Sequence, residues 1–296
     1  MKDNSKSIND ETEVKAYVYG DTIELSANNI PYTQYILVIS GHRYVNLKTG
    51  EICYMDTSGS RRTSNLSSIK RSMKNLRRII TENFSGGENE LWVTLTYSHN
   101  VNALHAGDSK IVYNDFKIYM QKVRKLFGNV QYVCILEAQL SGRWHLHVLM
   151  KRIDGERFYV HNALMYKLWS HGFTKTRRLS SSNNIAAYVM AYVSNLMVDS
   201  NSSKKRIIKN ARLWMYPKGT RIYRRSKYIK DPTVEKTTKK EIKKRYNLTD
   251  KCKRGFYERK FSTKYEREII TQTEFFDRKS KNADDVNNKV KDDLAK

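Results

Sequence analysis

Three features of the sequence predict an α+β fold, an antiparallel sheet with helices packed on one face. Short β-branched and aromatic runs alternate with amphipathic segments in the order strand, helix, strand, strand, helix, strand, helix. Two of those strands are separated by so short a loop that they read as a hairpin, and the helical segments each carry a single apolar stripe.

The first strong element is SSIKRSMKNLRRIITENF, where Ile69, Met73, Leu76 and Ile80 recur at helical spacing and Lys70, Arg71, Lys74, Arg77 and Arg78 supply charge. The charge is either a solvated face or a set of phosphate contacts. LWVTLTY follows as a strand, with Thr94 and Thr96 on one face and Val93, Leu95 and Tyr97 on the other. NDFKIYMQKVRKLFG places Phe116, Met120, Val123 and Phe127 on one helical stripe, with Asn114 as the expected N-cap and Gly128 just past the end. QYVCILEA and RWHLHVLM form the hairpin around Ser141-Gly142. A helix from Asn162 to about His171 is closed by Gly172, FTKTRRL is a further strand, and NNIAAYVMAYVSNLM is a further helix.

The ends are less regular. Residues 1–60 form an N-terminal segment, polar and unassigned to about residue 30, then with strands expected over Tyr32–Ile39 and His42–Met55 around a Lys48-Thr49-Gly50 turn. Residues 61–230 form the main domain, with RLWMYPKGTRIYRRSKYI offering one more strand-like pass. Residues 231–296 read as a basic, partly disordered C-terminal region, with disorder expected from Phe276 onward.

Lys and Arg number 55 against 30 acidic residues, a formal net charge of +25. Such a surplus makes a polyanion the expected partner, and nucleic acid fits best. No run of about 18 apolar residues exists to span a membrane, and the amino terminus has no apolar signal segment, so a cytoplasmic protein is expected. Cys53, Cys134 and Cys252 are too scattered for a disulfide framework or a Cys-x-x-Cys zinc site, which suits a reducing compartment.

The candidate chemistry centres on His145 and His147 in GRWHLHVL. Two apart on a strand, both imidazoles leave one face while Leu146 points to the other. With the loop centred on Ser141, pairing sets Glu137 opposite His145, with Cβ atoms about 5 Å apart. A one-residue slip would move the carboxylate to the other face. Glu137 otherwise stands in an apolar strand, where an unpaired charge is costly and a metal ion would remove the cost. Two nitrogens and one carboxylate oxygen leave coordination positions open, which suits Mg or Mn gripping a phosphate oxygen; zinc is compatible with the same donors. No His-Glu-x-x-His helix and no deaminase-like His-x-Glu with a downstream Cys pair accompanies them.

Downstream, Tyr188 and Tyr192 lie four apart and share one helix face. Either could present a phenol to a phosphate, or both are ordinary aromatics in a chain with 20 tyrosines. A phenol with a pKa near 10 needs a cation or base to act as a nucleophile at neutral pH. Arg143, Lys175, Arg177 and Arg178 are candidate phosphate contacts or solvated charges, together with Arg71, Arg77 and Arg78. His42, His99, His105 and His161 show no partner pattern, His171 reads as a helix C-terminal residue, and Trp144 and Trp169 read as core.

The TLTY strand, the His-hydrophobe-His strand preceded by Glu137, and the helix with Tyr188 and Tyr192 resemble, in order and spacing, the three motifs of HUH endonucleases. More narrowly they resemble rolling-circle replication initiator (Rep) proteins of plasmids, phages and small single-stranded DNA viruses, over about residues 61–230. The resemblance implies an RRM/ferredoxin-like HUH fold and a metal held by His145, His147 and Glu137. It also implies attack by Tyr188 or Tyr192 on a DNA phosphodiester, leaving a 5′-phosphotyrosine and a 3′-hydroxyl that primes synthesis. The implied partners are single-stranded or hairpin origin DNA and a host helicase and polymerase. A Lys commonly precedes the second tyrosine in that family, whereas Ala191 stands here; Lys167 or Lys175 are candidate substitutes. Related alternatives are a relaxase or an HUH transposase. The alternative of another class is a non-catalytic RRM-like nucleic-acid binder, which would carry stacking aromatics where the two histidines stand.

Overall fold

The computed structural model describes residues 6–30, 36–55, 66–139, 141–179, 215–217, 219–262 and 268–281. In chain order the strands are β1 (Glu13–Tyr19), β2 (Thr22–Asn28), β3 (Ile36–Ile39), β4 (Arg43–Asn46), β5 (Ile52–Tyr54), β6 (Glu90–Thr96), β7 (Val130–Ala138), β8 (Trp144–Arg152), β9 (Thr174–Arg178), β10 (Tyr223–Arg225), β11 (Thr233–Thr238), β12 (Lys253–Ser262) and β13 (Glu268–Asp277). The helices are α1 (Leu66–Asn83), α2 (Ala103–Gly107), α3 (Ser109–Phe127), α4 (Asn162–Trp169) and α5 (Lys239–Arg245). The architecture is α+β with antiparallel sheets, as the alternation of elements predicts. Two compact units emerge, one from residues Ser58–Asp231 and one from Met1–Thr57 with Pro232–Lys296.

The central unit, Ser58–Asp231, holds a five-stranded sheet in the order β10-β7-β8-β6-β9. Tyr132 of β7 meets Phe116 of α3 edge-on at 4.9 Å, and Tyr119 of α3 meets Trp169 of α4 at 5.9 Å. These contacts place α3 and α4 on the sheet face that carries Cys134, Leu136, Leu146 and Val148, all fully buried. α1 adds cover on the opposite face: Asn75 reaches the Tyr223 hydroxyl at 3.2 Å, and Lys151 donates to the Asn83 carbonyl at 3.1 Å. Its apolar stripe is the expected one, with Ile69, Met73, Leu76 and Ile80 buried.

Two helix ends differ from the sequence expectation. α3 begins at Ser109, capped by Asp108 accepting from the Lys110 amide at 2.7 Å, not by Asn114. Val112 and Tyr113 are buried, so the extra turn adds core contact that outweighs a cap at Asn114. α4 ends at Trp169 on a left-handed Ser170, two residues before Gly172.

The terminal unit brings both chain ends together in a sheet ordered β11-β1-β2-β13-β12, and it also holds a three-stranded sheet β3-β4-β5. β13 inserts next to β2, pairing Glu274 with Leu25. The C-terminal residues up to 281 are therefore strand and helix where the sequence suggested little order. Phe276, expected to open a disordered tail, is 2% exposed in β13 because it faces the apolar core of Val14, Ile23 and Leu25.

Candidate metal centre

The hairpin loop between β7 and β8 fixes the site. The Gln139 amide donates to the Arg143 carbonyl at 2.9 Å, the Gly142 amide donates to the Gln139 carbonyl at 3.1 Å, and Gly142 takes a φ of +80° that suits glycine. The resulting register pairs Glu137 with His145 and Ile135 with His147, as a loop centred on Ser141 requires. On the other flank of β8, Thr96 stands opposite His145 and Thr94 opposite His147. Directly paired residues share a face, so both imidazoles, the Glu137 carboxylate and the two threonines lie on one side of the sheet.

Glu137 and His147 are in contact, Oε2 to Nε2 at 2.5 Å, and both are buried. The other nitrogen of His147, Nδ1, lies 3.3 Å from the Thr94 hydroxyl, and Trp92 meets the ring edge-on at 6.0 Å. A Thr94 hydroxyl accepting from Nδ1–H would fix the tautomer that keeps the Nε2 lone pair free for a cation. His145 Nε2 is buried with no hydrogen-bond partner. Burial pushes the His145 pKa down to about 4, His147 adds to the fall and Glu137 opposes it, so the imidazole is neutral at physiological pH.

An orphaned imidazole nitrogen beside a tight carboxylate–imidazole contact is the environment a divalent ion would complete, and the donor set fits one. His145 still has to turn toward the other two. Among the described residues, the His/Asp group whose ligand atoms all lie within 4.8 Å of one another is a different one, His105, Asp115 and His171.

The buried neutral His145 has a consequence for stability. Above pH 6.5 the ring is neutral folded and unfolded; as pH falls from 6.5 toward 4 the unfolded chain takes up a proton that the folded chain does not. Stability should therefore drop across that window by roughly 2–3 kcal/mol, and His145→Leu should flatten that part of a pH–stability curve from denaturant melts. A curve unchanged by the substitution would remove His145 as its source.

The basic residues sort by face. In β9, Lys175 pairs with Thr94 and Arg177 with Trp92, so both leave the sheet on the His145 side. Arg178 leaves on the other side and is ion-paired with Glu88 at 2.8 Å. Arg71 and Arg77 are exposed on α1, whereas Arg78 is 7% exposed and is not presented to a backbone phosphate. Arg143 donates to the carbonyls of Ser98 and His99, at 2.8 and 3.1 Å, and clamps the segment after β6. Of the two lysines weighed against Ala191, Lys175 shares the histidine face and Lys167 stands on α4, across the sheet.

Sequence reasoning missed the second cluster. His105 Nε2 lies 2.7 Å from Asp115 Oδ2, and His171 Nε2 lies 3.8 Å from Asp115 Oδ1. Tyr97 donates to Asp115 Oδ2 at 2.7 Å. Burial, with the neighbouring Asp115, raises the Tyr97 pKa far above its usual value, so it remains a phenol donor. His171 is thus more than a helix-end residue, and His105 does have a partner. Residues that far apart in sequence leave no spacing signal; only the loop geometry joins them.

Gly172 explains how His171 is held. Its φ is +152°, and a Cβ there would stand 2.2 Å from the Ser98 nitrogen and 2.4 Å from the Thr96 oxygen, backbone atoms that cannot swing aside. The glycine lets the chain run against the end of β6, where the Ser98 amide donates to the His171 carbonyl at 2.9 Å. Gly172→Ala should cost about 1–3 kcal/mol or more in a thermal or denaturant melt. A neutral result would mean this close approach is not tight in solution.

Residues 90–197 match the family model of replication-associated protein ORF2. The matched stretch starts at the first residue of β6 and contains Glu137, His145, His147, Tyr188 and Tyr192. It covers a little over a third of the chain and supports a relationship to replication-initiator proteins for that segment. No curated protein and no solved structure matches the chain. Tyr188 and Tyr192 lie outside the described residues. No described helix is long and apolar enough to cross a membrane.

Proposed function

We propose that the central unit is a metal-dependent, site-specific single-strand DNA nickase and ligase that initiates rolling-circle replication of a plasmid or phage. The observation that carries the reading is the register that pairs Glu137 with His145, with Glu137 in contact with His147, inside the segment that matches the replication-associated family. His145, His147 and Glu137 would hold a divalent ion, Mg or Mn. Such an ion polarises a phosphate oxygen and offsets the negative charge that develops during displacement.

The chain's own residues supply the rest. Lys175 and Arg177, on the same face, and Arg71 and Arg77 on α1 offer contacts to the backbone of a single-stranded or hairpin origin. The phenol oxygen of Tyr188 or Tyr192 attacks phosphorus, the bond from phosphorus to the 3′ oxygen breaks, and that oxygen takes a proton. The 5′ side remains esterified to tyrosine, and the free 3′-hydroxyl serves a host polymerase behind a host helicase. Because the phosphodiester is exchanged for a phosphotyrosine ester, the reverse attack by a 3′-hydroxyl rejoins the strand.

The test is incubation of the full chain with Mn and an origin-bearing labelled single strand, followed by a denaturing gel. A protein–DNA adduct is expected, lost in Tyr188→Phe or in Tyr192→Phe according to which phenol reacts. Absence of any adduct across origin sequences and both metals would overturn the reading. Binding should weaken with salt with a log–log slope of about −0.7 per phosphate neutralised, measurable by anisotropy.

A further inference from the structure

On the face of the sheet opposite His145 and His147, three elements bring metal-ligating side chains together. His105 comes from α2, Asp115 from α3, and His171 from the segment between α4 and β9. One ligand atom from each lies within 4.8 Å of the others, two imidazole nitrogens and one carboxylate oxygen. The carboxylate side chain is 8% exposed, while those of His105 and His171 are 36% and 29% exposed, so the cluster is anchored inside and open outside.

The surroundings have the features of a supported ligand set. Tyr97 donates to Asp115 Oδ2, which leaves Oδ1 toward His171. Metal-bound carboxylates are commonly oriented by such a second hydrogen bond. The two imidazoles are held by ring contacts: His171 against Trp169 at 5.0 Å and Tyr97 at 5.7 Å, and His105 against Tyr97 at 6.0 Å. Among the described residues, the ion pairs of Asp115 are both to imidazoles, with no Lys or Arg supplying a permanent positive charge.

We propose that His105, Asp115 and His171 form a second divalent-cation site, separate from the Glu137 centre. Two nitrogens and one oxygen on an open, four-coordinate frame favour zinc or cobalt over magnesium, with solvent in the remaining position. Ligand bonds of about 2.0–2.2 Å require the ligand atoms to stand somewhat farther apart than the hydrogen-bonded His105–Asp115 pair does, so the ion replaces that hydrogen bond. Its effect is to tie α2, α3 and the α4–β9 segment to the end of β6, and Thr96, the last residue of β6, stands opposite His145.

The test uses the full chain stripped by chelator and titrated with zinc and with cobalt. Bound metal is read by mass spectrometry of the desalted protein, coordination by the visible cobalt spectrum, and folding by melting with and without zinc. In the His145→Ala/His147→Ala background, where the Glu137 centre is removed, one zinc per chain is expected, together with a tetrahedral cobalt spectrum and a zinc-dependent rise in Tm. Adding His105→Gln and His171→Gln should abolish all three, and Tyr97→Phe should weaken zinc binding by about 10- to 100-fold. If the His145→Ala/His147→Ala protein binds no zinc, or binds it equally well after the two Gln substitutions, the proposal is overturned and the cluster is a hydrogen-bonded one. Because the first of these readouts needs no change in the cluster itself, a folding defect in the Gln variants does not blur the outcome.

Discussion

Replacing either His145 or His147 with alanine should cut the rate of protein–DNA adduct formation by about 10²-fold or more, because each removes one ligand from the centre that polarises the phosphate. The two variants should nevertheless differ in stability. His145 Nε2 is buried without a partner, so its removal discards an unsatisfied polar atom along with some packing. His147 is the buried partner of Glu137, so its removal leaves a carboxylate that is 7% exposed with its closest contact gone. That loss should cost about 1–3 kcal/mol more than the loss at His145. Adduct assays paired with denaturant melts read both effects. Equal activity losses with unequal melts identify a shared chemical role in different environments. Full adduct formation by either variant would exclude that histidine from the reaction.

The same residues show which parts of the site are legible in the sequence. The alternation in RWHLHVLM puts two imidazoles on one face, and the Ser141-Gly142 loop fixes the register that sets Glu137 opposite His145. Both are local constraints of period and turn, so a linear reading reaches them. The contact that forms is not legible: Glu137 is paired opposite His145 yet touches His147, because side-chain rotation chooses between two neighbours that the register leaves equally near. The His105, Asp115 and His171 cluster is less legible still, since it depends on Gly172 letting one segment press against the end of β6. The α1 stripe is plain at Ile69, Met73, Leu76 and Ile80. Which sheet face it covers emerges only from contacts such as Asn75 with Tyr223 and Lys151 with Asn83. Near the amino terminus the sequence does carry a signal for the first two strands, in a stretch the expectation left unassigned. Val14, Ala16 and Val18 alternate with Glu13, Lys15 and Tyr17, and Gly20-Asp21 is a two-residue turn into β2.

In the terminal unit, Lys239→Met should destabilise by about 3–5 kcal/mol, a large effect for a site far in sequence from any candidate chemistry. Lys239 is 2% exposed and Glu274 is fully buried, and their charged atoms stand 2.9 Å apart. Lys239 also donates to the Ser7 hydroxyl and the Ile8 carbonyl, each at 2.6 Å, while the Ile8 amide donates to Glu274 Oε1 at 3.0 Å. One buried ion pair thus fastens residues 7–8 to α5 and β13, joining the two ends of the chain. A lysine is poorly placed at the first residue of a helix, where the dipole favours negative charge, so its position makes sense through Glu274 and not through the helix. Removing the lysine leaves Glu274 with Lys253, whose nitrogen is 3.6 Å from it, as the remaining nearby cation. The double variant Lys239→Met/Glu274→Met removes both buried charges and should recover much of the loss, since the desolvation cost disappears with the pair. Denaturant melts of the full chain, followed separately for the two units, distinguish the cases. A single variant no less stable than the double would show that the charge pair does not hold the ends together. The effect should stay within the terminal unit, leaving the transition of residues 58–231 unchanged, because the pair and its hydrogen-bond partners all belong to residues 1–57 and 232–296.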